Sequence, residues 1–327
     1  MAALSIILLA FLSDILIGDP EYRWHPVRII GRGIVFCLGL LKRMGLKGRG
    51  AGVILTLSMV FISIAVYALI HFSLLMAHPF AGFFFDLFIC YSCLALKDLF
   101  NHITPVIEAL ESDDLKRARM AVRMVVGRDV ASLDRPGVTR AAIETLSENF
   151  VDGFLSPVFW YVAGCIAGTL GGIEPVFVGI SFMIIFKTAS TLDSMTGYKN
   201  EEFIKIGWAG ARLDDVMNFF PARLSLIILF LGSWLRGLNP VDGLRAAFRD
   251  RLKHDSPNSA HAESFVAGAL NIRLGGPAKY PEGIKDKPWL AGEYGDPDIR
   301  HIVMNIKLLK DSSWIVIMIA CVILKKV

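Results

Sequence analysis

Residues 52–72 read GVILTLSMVFISIAVYALIHF, a run without a single Asp, Glu, Lys or Arg. At 1.5 Å per residue, a helix of this length covers about 30 Å, the thickness of a bilayer's hydrocarbon core. This stretch decides the class: the chain spans a membrane. Working outward, further apolar segments lie at 79–96, 154–170 and 175–189, the last two joined by the tight turn Gly171-Gly172-Ile173-Glu174. The runs 224–235 and 314–324 are shorter, and each fits a tilted span, a re-entrant segment or a surface helix. Residues 1–17 lack a basic start and a cleavage site, and Asp14 interrupts them, so they read as a retained first helix. The expectation is an all-α, polytopic integral membrane protein, with four to six transmembrane helices joined by helical cytoplasmic loops.

Composition agrees. Hydrophobic residues make up 54% of the 327 and charged residues 20%, which suits apolar spans alternating with sizeable polar loops. The basic residues crowd particular connections. Arg23, Arg28, Arg32, Lys42, Arg43, Lys47 and Arg49 lie between the first two apolar segments, while 71–78 and 171–174 carry no Lys or Arg. The positive-inside rule then places the charged loops in the cytoplasm and the short turns outside. A re-entrant or interfacial reading of 224–235 keeps the polar stretch 239–312 on the cytoplasmic side as well. The net charge of +4 is met by anionic lipid, with no call for nucleic acid. Cys90 and Cys93 form a lone CxxC in an apolar run, which fits small buried hydrophobes rather than a zinc or redox site. The chain reads as one membrane-embedded domain over 1–327, with motif loops at 18–49, 97–153, 190–223 and 239–312.

Four clusters of polar residues abut the apolar segments. Glu144, Glu148 and Asp152 recur every four residues, so a continuous helix stacks three carboxylates on one face. Like charges at that spacing repel, and these run straight into the apolar 154 segment, where a divalent cation or a substrate amine would compensate them. The plain alternative is a solvated acidic face paired with Arg140. In the second cluster, Lys187 either snorkels or meets substrate, and Asp193 either ligates a metal or caps the following helix. It ends in the turn Gly197-Tyr198. The third, Arg212-Leu-Asp214-Asp215-Val-Met-Asn218 with Arg223 beyond Pro221, places Asp214 and Asn218 on one helical face. Its oxygen ligands suit Mg²⁺ and its arginines suit phosphate, unless it is only an acidic helix start that Pro221 breaks. In the fourth, 254–263, Ser256 to Ser259 reads as a turn feeding a helix, with His254, Asn258 and His261 either lining a site or lying on the surface. A minor fifth element is Gly18-Asp19-Pro20 with His25. The stretch 277–298 is rich in turn residues and reads as an ordered loop or a flexible lid. No GxxxxGK[ST], GxGxxG or GxSxG motif is present.

The strings GDPEYRWHPVRIIGR (18–32), RAAIETLSENFVDGFLSP (140–157), KTASTLDSMTGY (187–198), GWAGARLDDVMNFFPAR (207–223) and HDSPNSAHAESFVAGALNIRLGG (254–276) resemble, in order, the signature blocks of the CobD/CbiB family. The resemblance covers about 14–280. It implies cobalamin biosynthesis in a prokaryotic cell membrane: formation of an amide between a propionate of adenosylcobyric acid and (R)-1-amino-2-propanol or its O-phosphate, with ATP as cosubstrate and Mg²⁺. Other cobalamin-assembly membrane enzymes are possible partners alongside the lipid bilayer. For this chemistry the residues read as follows: Asp193, Asp214 and Asp215 toward metal; Glu144, Glu148 and Asp152 as catalytic carboxylates; Lys187, Arg212, Arg223, His254, Ser256 and Asn258 toward nucleotide and substrate. The expectation is that they meet at one mouth on the cytoplasmic face. The rival readings are a transporter and a corrinoid-handling or sensing protein. A transporter needs acids through the depth of several spans, whereas here they gather at span ends, apart from Asp14 and Asp86.

Overall fold

A computed structural model describes residues 2–19, 22–127, 129–197, 203–280, 283–285 and 287–327. The chain forms two compact units, one built from Met1–Ala95, Ser156–Asn218 and Ile317–Val327, the other from Leu96–Leu155 and Phe219–Val316. The protein is all-α and polytopic. Five helical stretches are long and apolar enough to cross a membrane: Gly48–Ala77, Pro79–Glu111, Arg135–Gly171, Pro175–Thr196 and Trp208–Leu235. Helices suit this setting because each satisfies its own backbone N–H and C=O groups where no water is available.

The first unit contains α1 (Ala2–Ile17), α2 (Pro26–Arg43), α3 (Gly48–Ala77), α4 (Pro79–Ser92), α8 (Ser156–Gly171), α9 (Pro175–Thr196) and α10 (Trp208–Met217). Local chemistry sets the turns between them. His78 precedes Pro79 and is therefore extended, at φ −166° and ψ 135°; its ring accepts the Phe80 N–H at 3.2 Å and caps α4. Glu174 does the same for α9, its carboxylate accepting the N–H groups of Val176 and Phe177, with Pro175 at the first helical position. The sequence places a loop at 71–78, but α3 continues to Ala77 and the turn is confined to His78. The interval 18–49, read as a polar loop, holds the 18-residue helix α2.

That extra length of α3 carries a buried polar group. Asp86 of α4 accepts a hydrogen bond from Tyr67 Oη at 2.9 Å and meets His71 Nδ1 at 2.9 Å. All three side chains are buried, and Tyr67 stacks between Phe85 and Phe177. The intramembrane Asp86 that the sequence leaves unpartnered therefore clamps the α3–α4 hairpin. Cys90 and Cys93 follow on α4 as buried thiols.

The second unit contains α5 (Leu96–Glu111), α6 (Leu115–Arg123), α7 (Arg135–Phe150), a π-helical turn (Val151–Leu155), α11 (Phe219–Leu235), α12 (Pro240–Asp250) and α13 (Ala260–Ala269). Asp114 caps α6 through the Arg117 N–H. The final helix α14 (Ile299–Leu324) begins in this unit and ends in the first. The segment 224–235, expected to be re-entrant or interfacial, is part of α11. With α10 before it, it makes the 28-residue stretch Trp208–Leu235, long enough to cross.

The turn-rich stretch after α13 forms two small ladders. β1 (Leu274–Gly275) pairs antiparallel with β4 (Trp289–Leu290), and β2 (Ala278–Tyr280) with β3 (Gly283–Lys285). The fully buried Asp250 anchors this segment from the end of α12. It accepts the Ala291 N–H at 2.7 Å and pairs with Lys253 at 2.7 Å and Arg249 at 2.9 Å, while Arg249 also forks onto Glu293.

Two stability predictions follow from these clamps. Asp86→Ala leaves His71 and Tyr67 buried without their shared acceptor, at a cost of about 3–5 kcal/mol. Tyr67→Phe removes one bond, at about 1 kcal/mol. Thermal unfolding in nanodiscs, followed by alkylation of Cys90 and Cys93, should order the variants in that way. The second concerns acid. Burial pushes the Asp250 carboxyl up, but the Arg249, Lys253 and Ala291 hydrogen bonds outweigh it and hold the group at about 2, below its ordinary 3.8. Its stabilisation is therefore complete above the ordinary carboxylate range and is lost as pH falls toward 2. The protection of the Ala291 amide against exchange, relative to its intrinsic rate, should fall across that window, and Asp250→Asn should remove the pH dependence of that protection.

Candidate functional site

In the first unit the acids are assembled by close helix packing. A Cβ on Gly210 would meet Leu192 Cβ at 3.0 Å, so the glycine lets α10 lie directly against the last turn of α9. That approach brings the Asp215 carboxylate within Coulombic reach of the half-buried Asp193. Asp193 does not cap the next helix, since Gly207 takes that position and makes no side-chain cap bond. Arg212 donates to Asp215 at 3.2 Å, one turn away, and its side chain is 64% exposed. Lys187 sits two turns before the end of α9, half-buried and within Coulombic reach of Cys93, which is deeper in the helix than a boundary lysine. Tyr198 and Pro20, quoted with these motifs, lie outside the described residues.

Asp214 is held by a buried relay. Asn218, 2% exposed, donates from Nδ2 to Asp214 Oδ2 at 3.1 Å and accepts the Ser156 hydroxyl on Oδ1 at 2.7 Å. A carboxylate can only accept, so the Asn218 amide has one possible orientation. The Trp160 N–H donates to the Met217 carbonyl at 3.0 Å and fixes the end of α10. The predicted common face of Asp214 and Asn218 is thus present. The acids stand in the last turns of α10 rather than at a helix start, and Pro221 falls in the first turn of α11. Among the described residues, no group of three or more His, Cys, Asp or Glu side chains converges to hold a metal ion. Magnesium does not need such a cage: it is commonly bound by one or two carboxylates plus substrate phosphates. The neighbouring Asp193 and Asp215 fit that arrangement.

The second unit holds the remaining candidates. Helix α7 is buried over most of its surface, with Glu144 and Glu148 half-buried on it, which departs from a solvated acidic face. Asp152 lies in the π-helical turn, whose wider winding takes it off the strict four-residue stack. Arg140 pairs with Asp296, which Arg273 also binds at 2.8 and 2.9 Å, and both guanidiniums stand over the Trp289 ring. Glu144 Oε1 accepts the Gly275 N–H at 2.7 Å. Gly275 and Gly276 both adopt positive φ, and a Cβ on Gly276 would strike the Trp289 ring at 2.5 Å. Glu144 therefore positions a glycine turn packed beneath an aromatic plate.

Arg223 donates to the Phe219 carbonyl at 2.7 Å and to Asn258 Oδ1 at 3.3 Å. Ser256 Oγ accepts the Asn258 N–H at 3.3 Å, and His254 faces Ser259 Oγ at 3.2 Å and Glu263 at 3.6 Å. His261 is 1% exposed and no surface histidine. Its Nδ1 donates to the Asn258 carbonyl at 3.2 Å, so Nε2 carries the lone pair, and that atom has no hydrogen-bond partner among the described residues. Arg251 was missed as a candidate site residue, and His261, weighed within the 254–263 block, was given no role. Arg251 stands within Coulombic reach of both Arg223 and His261, and a pair of like charges beside a neutral imidazole is an anion-binding arrangement. The sequence signal for His261 was its place in the 254–263 block; for Arg251 there was none.

Burial, followed by the Arg223 charge and then that of Arg251, pushes the His261 imidazole down to about 4, from its ordinary 6.5, against the opposing effect of the Asn258 bond. The unfolded chain then binds the extra proton, so stability falls as pH drops from about 6.5 toward 4. In His261→Gln the melting temperature should change less between pH 7 and pH 5 than in the parent protein.

The family model described as CobD/Cbib protein matches residues 7–309. Among curated proteins, the chain is 40% identical over 293 residues to the cobalamin biosynthesis protein CobD of Pelobacter propionicus, covering 90% of this chain and 85% of that one. It is 38% identical to the protein of that name from Desulfotalea psychrophila, covering 87% and 86%. To the cobalamin biosynthesis protein CbiB of Salmonella typhimurium it is 36% identical, covering 92% and 91%. No solved structure matches. With its signature blocks in order, its spans in place and relatives aligned along nearly its whole length, the chain belongs to the CobD/CbiB family.

Proposed function

We propose that this protein acts in cobalamin biosynthesis as an ATP-dependent amide ligase. Its substrates would be adenosylcobyric acid and (R)-1-amino-2-propanol or its O-phosphate, and its product adenosylcobinamide or the corresponding phosphate. Family membership supports the pathway. The observation that carries the chemistry is the placement of Asp215 against Asp193, with Asp214 fixed by the Asn218–Ser156 relay.

A carboxylate is a poor acyl donor until one of its oxygens can leave. In this reading the propionate oxygen takes the terminal phosphoryl group of ATP, releasing ADP; the amine attacks the acyl carbon, phosphate departs, and the amine gives up a proton. Bound Mg²⁺ would neutralise phosphate charge during the first transfer. Asp193 and Asp215 are the residues that would hold it, with Asp214 preset alongside. Arg223 and Arg251 would bind an anionic phosphate, and Asn258 fixes the first of them. Glu144 accepts the Gly275 N–H and would act as a positioning group; Glu148 and Asp152 are candidate proton acceptors, joined by the His261 Nε2 lone pair. His254 and Ser256 would shape the substrate side of that turn.

Purified protein in nanodiscs, given adenosylcobyric acid, ATP, Mg²⁺ and the amine with or without its phosphate, should yield an amide detectable by mass. Asp215→Asn should lower kcat by about a hundredfold or more, comparable with losing a key electrostatic group. Asn218→Ala, which releases Asp214 together with the Ser156 hydroxyl, should lower it about 10–100-fold. No amide with either amine would overturn the ligase reading, and full turnover in Asp215→Asn would overturn the metal assignment.

A further inference from the structure

Helix α2 is amphipathic in an uncommon way, because two of its faces are apolar. One face packs inward: Ile34 and Leu41 are buried against Leu55 and Met59 of α3 and Leu192 of α9. The other is uncovered. Ile29, Phe36 and Leu40, spaced seven and four residues apart, line up along one edge and are 43%, 72% and 47% exposed. Beside that edge, on the same outward side, run Arg28, Arg32 and Arg43, all exposed. At its start, Trp24 is 69% exposed with the guanidiniums of Arg23 and Arg32 within 6 Å of its ring centre, at 5.8 and 5.9 Å.

These features have one common solution. An apolar edge parallel to a basic edge matches the boundary between acyl chains and phosphates, and a tryptophan at the end of such a helix sits at headgroup level. The helix packs on the first half of α3, whose outward residues Ile54, Leu57 and Phe61 are also uncovered, so the apolar edge of α2 adjoins a surface already suited to lipid. A second copy of the chain is a poor occupant. In a two-fold contact the patch meets itself, and the arginine edges would oppose one another. Crossing the bilayer is no alternative either, because it would carry Arg28 and Arg32 into hydrocarbon.

We propose that α2 is an interfacial helix that binds anionic phospholipid, with Ile29, Phe36 and Leu40 in the acyl boundary and Arg28, Arg32 and Arg43 on the headgroup phosphates. The surface is separate from the ligase residues and does not depend on that reading.

The test uses the full-length protein in nanodiscs of phosphatidylcholine with or without phosphatidylglycerol. Native mass spectrometry after partial delipidation should show phosphatidylglycerol retained over phosphatidylcholine. In the triple variant Arg28→Gln, Arg32→Gln, Arg43→Gln that preference should fall by about tenfold or more, given the worth of each basic residue near a charged surface. Unchanged thermal unfolding in pure phosphatidylcholine would show that the variant is folded. Should it not fold, the wild-type preference alone decides. A photocrosslinker at Phe36 should capture lipid. Millimolar inorganic phosphate should leave the retention intact. Equal retention of the two lipids, an unchanged preference in a folded variant, displacement by free phosphate, or capture of a second protein chain at Phe36 would each overturn the proposal.

Discussion

The buried amide of Asn218 is the constraint on which much else depends. The chain enters one stretch of the first unit at Ser156 and leaves it at Asn218, and these two residues are joined by a single hydrogen bond. The same amide donates to Asp214. An Asn this deeply buried has to satisfy its polar groups, and its amide both donates to and accepts from the motif. Connectivity and acid geometry are thus fixed by one side chain. Gly210 of α10 supplies the complementary condition, close approach to α9, without which the acids would stand apart whatever their orientation.

The acidic residues work in contrasting surroundings. Asp86 is wholly absorbed in structure, with Tyr67 and His71 as its partners, and Asp250 is absorbed in holding the turn-rich segment after α13. Glu144 belongs with them in part, since it holds a backbone amide. Asp193 and Asp215 differ: they approach as like charges, an arrangement that costs energy unless a cation is added. Arginines mirror this. Arg249 and Arg273 are tied to carboxylates through forked hydrogen bonds, whereas Arg223 and Arg251 approach each other.

Much of this was legible in the sequence, and the reasons differ by element. The spans were readable because hydrocarbon tolerates few charges, so the 52–72, 154–170 and 175–189 runs are bounded by composition alone. The turn at 171–174 was readable from Gly and Pro chemistry. The end of α3 was not, because His71 looks like a loop residue until Asp86 is seen beside it. Helix α2 was missed as an element because its arginines mask an apolar inner face, and the β ladders because two- and three-residue strands have no periodicity to detect. Within the site, Asp214 and Asn218 followed from helical spacing, while Arg251 depends on a tertiary approach that spacing cannot express.

The π-helical turn at Val151–Leu155 changes the winding directly after α7. Such a turn holds about one residue more than an α-helical one, so Asp152 leaves the face on which Glu144 and Glu148 are stacked. The length of this five-residue stretch, and not only its sequence, thus decides where the Asp152 carboxylate stands relative to Glu144 and Glu148.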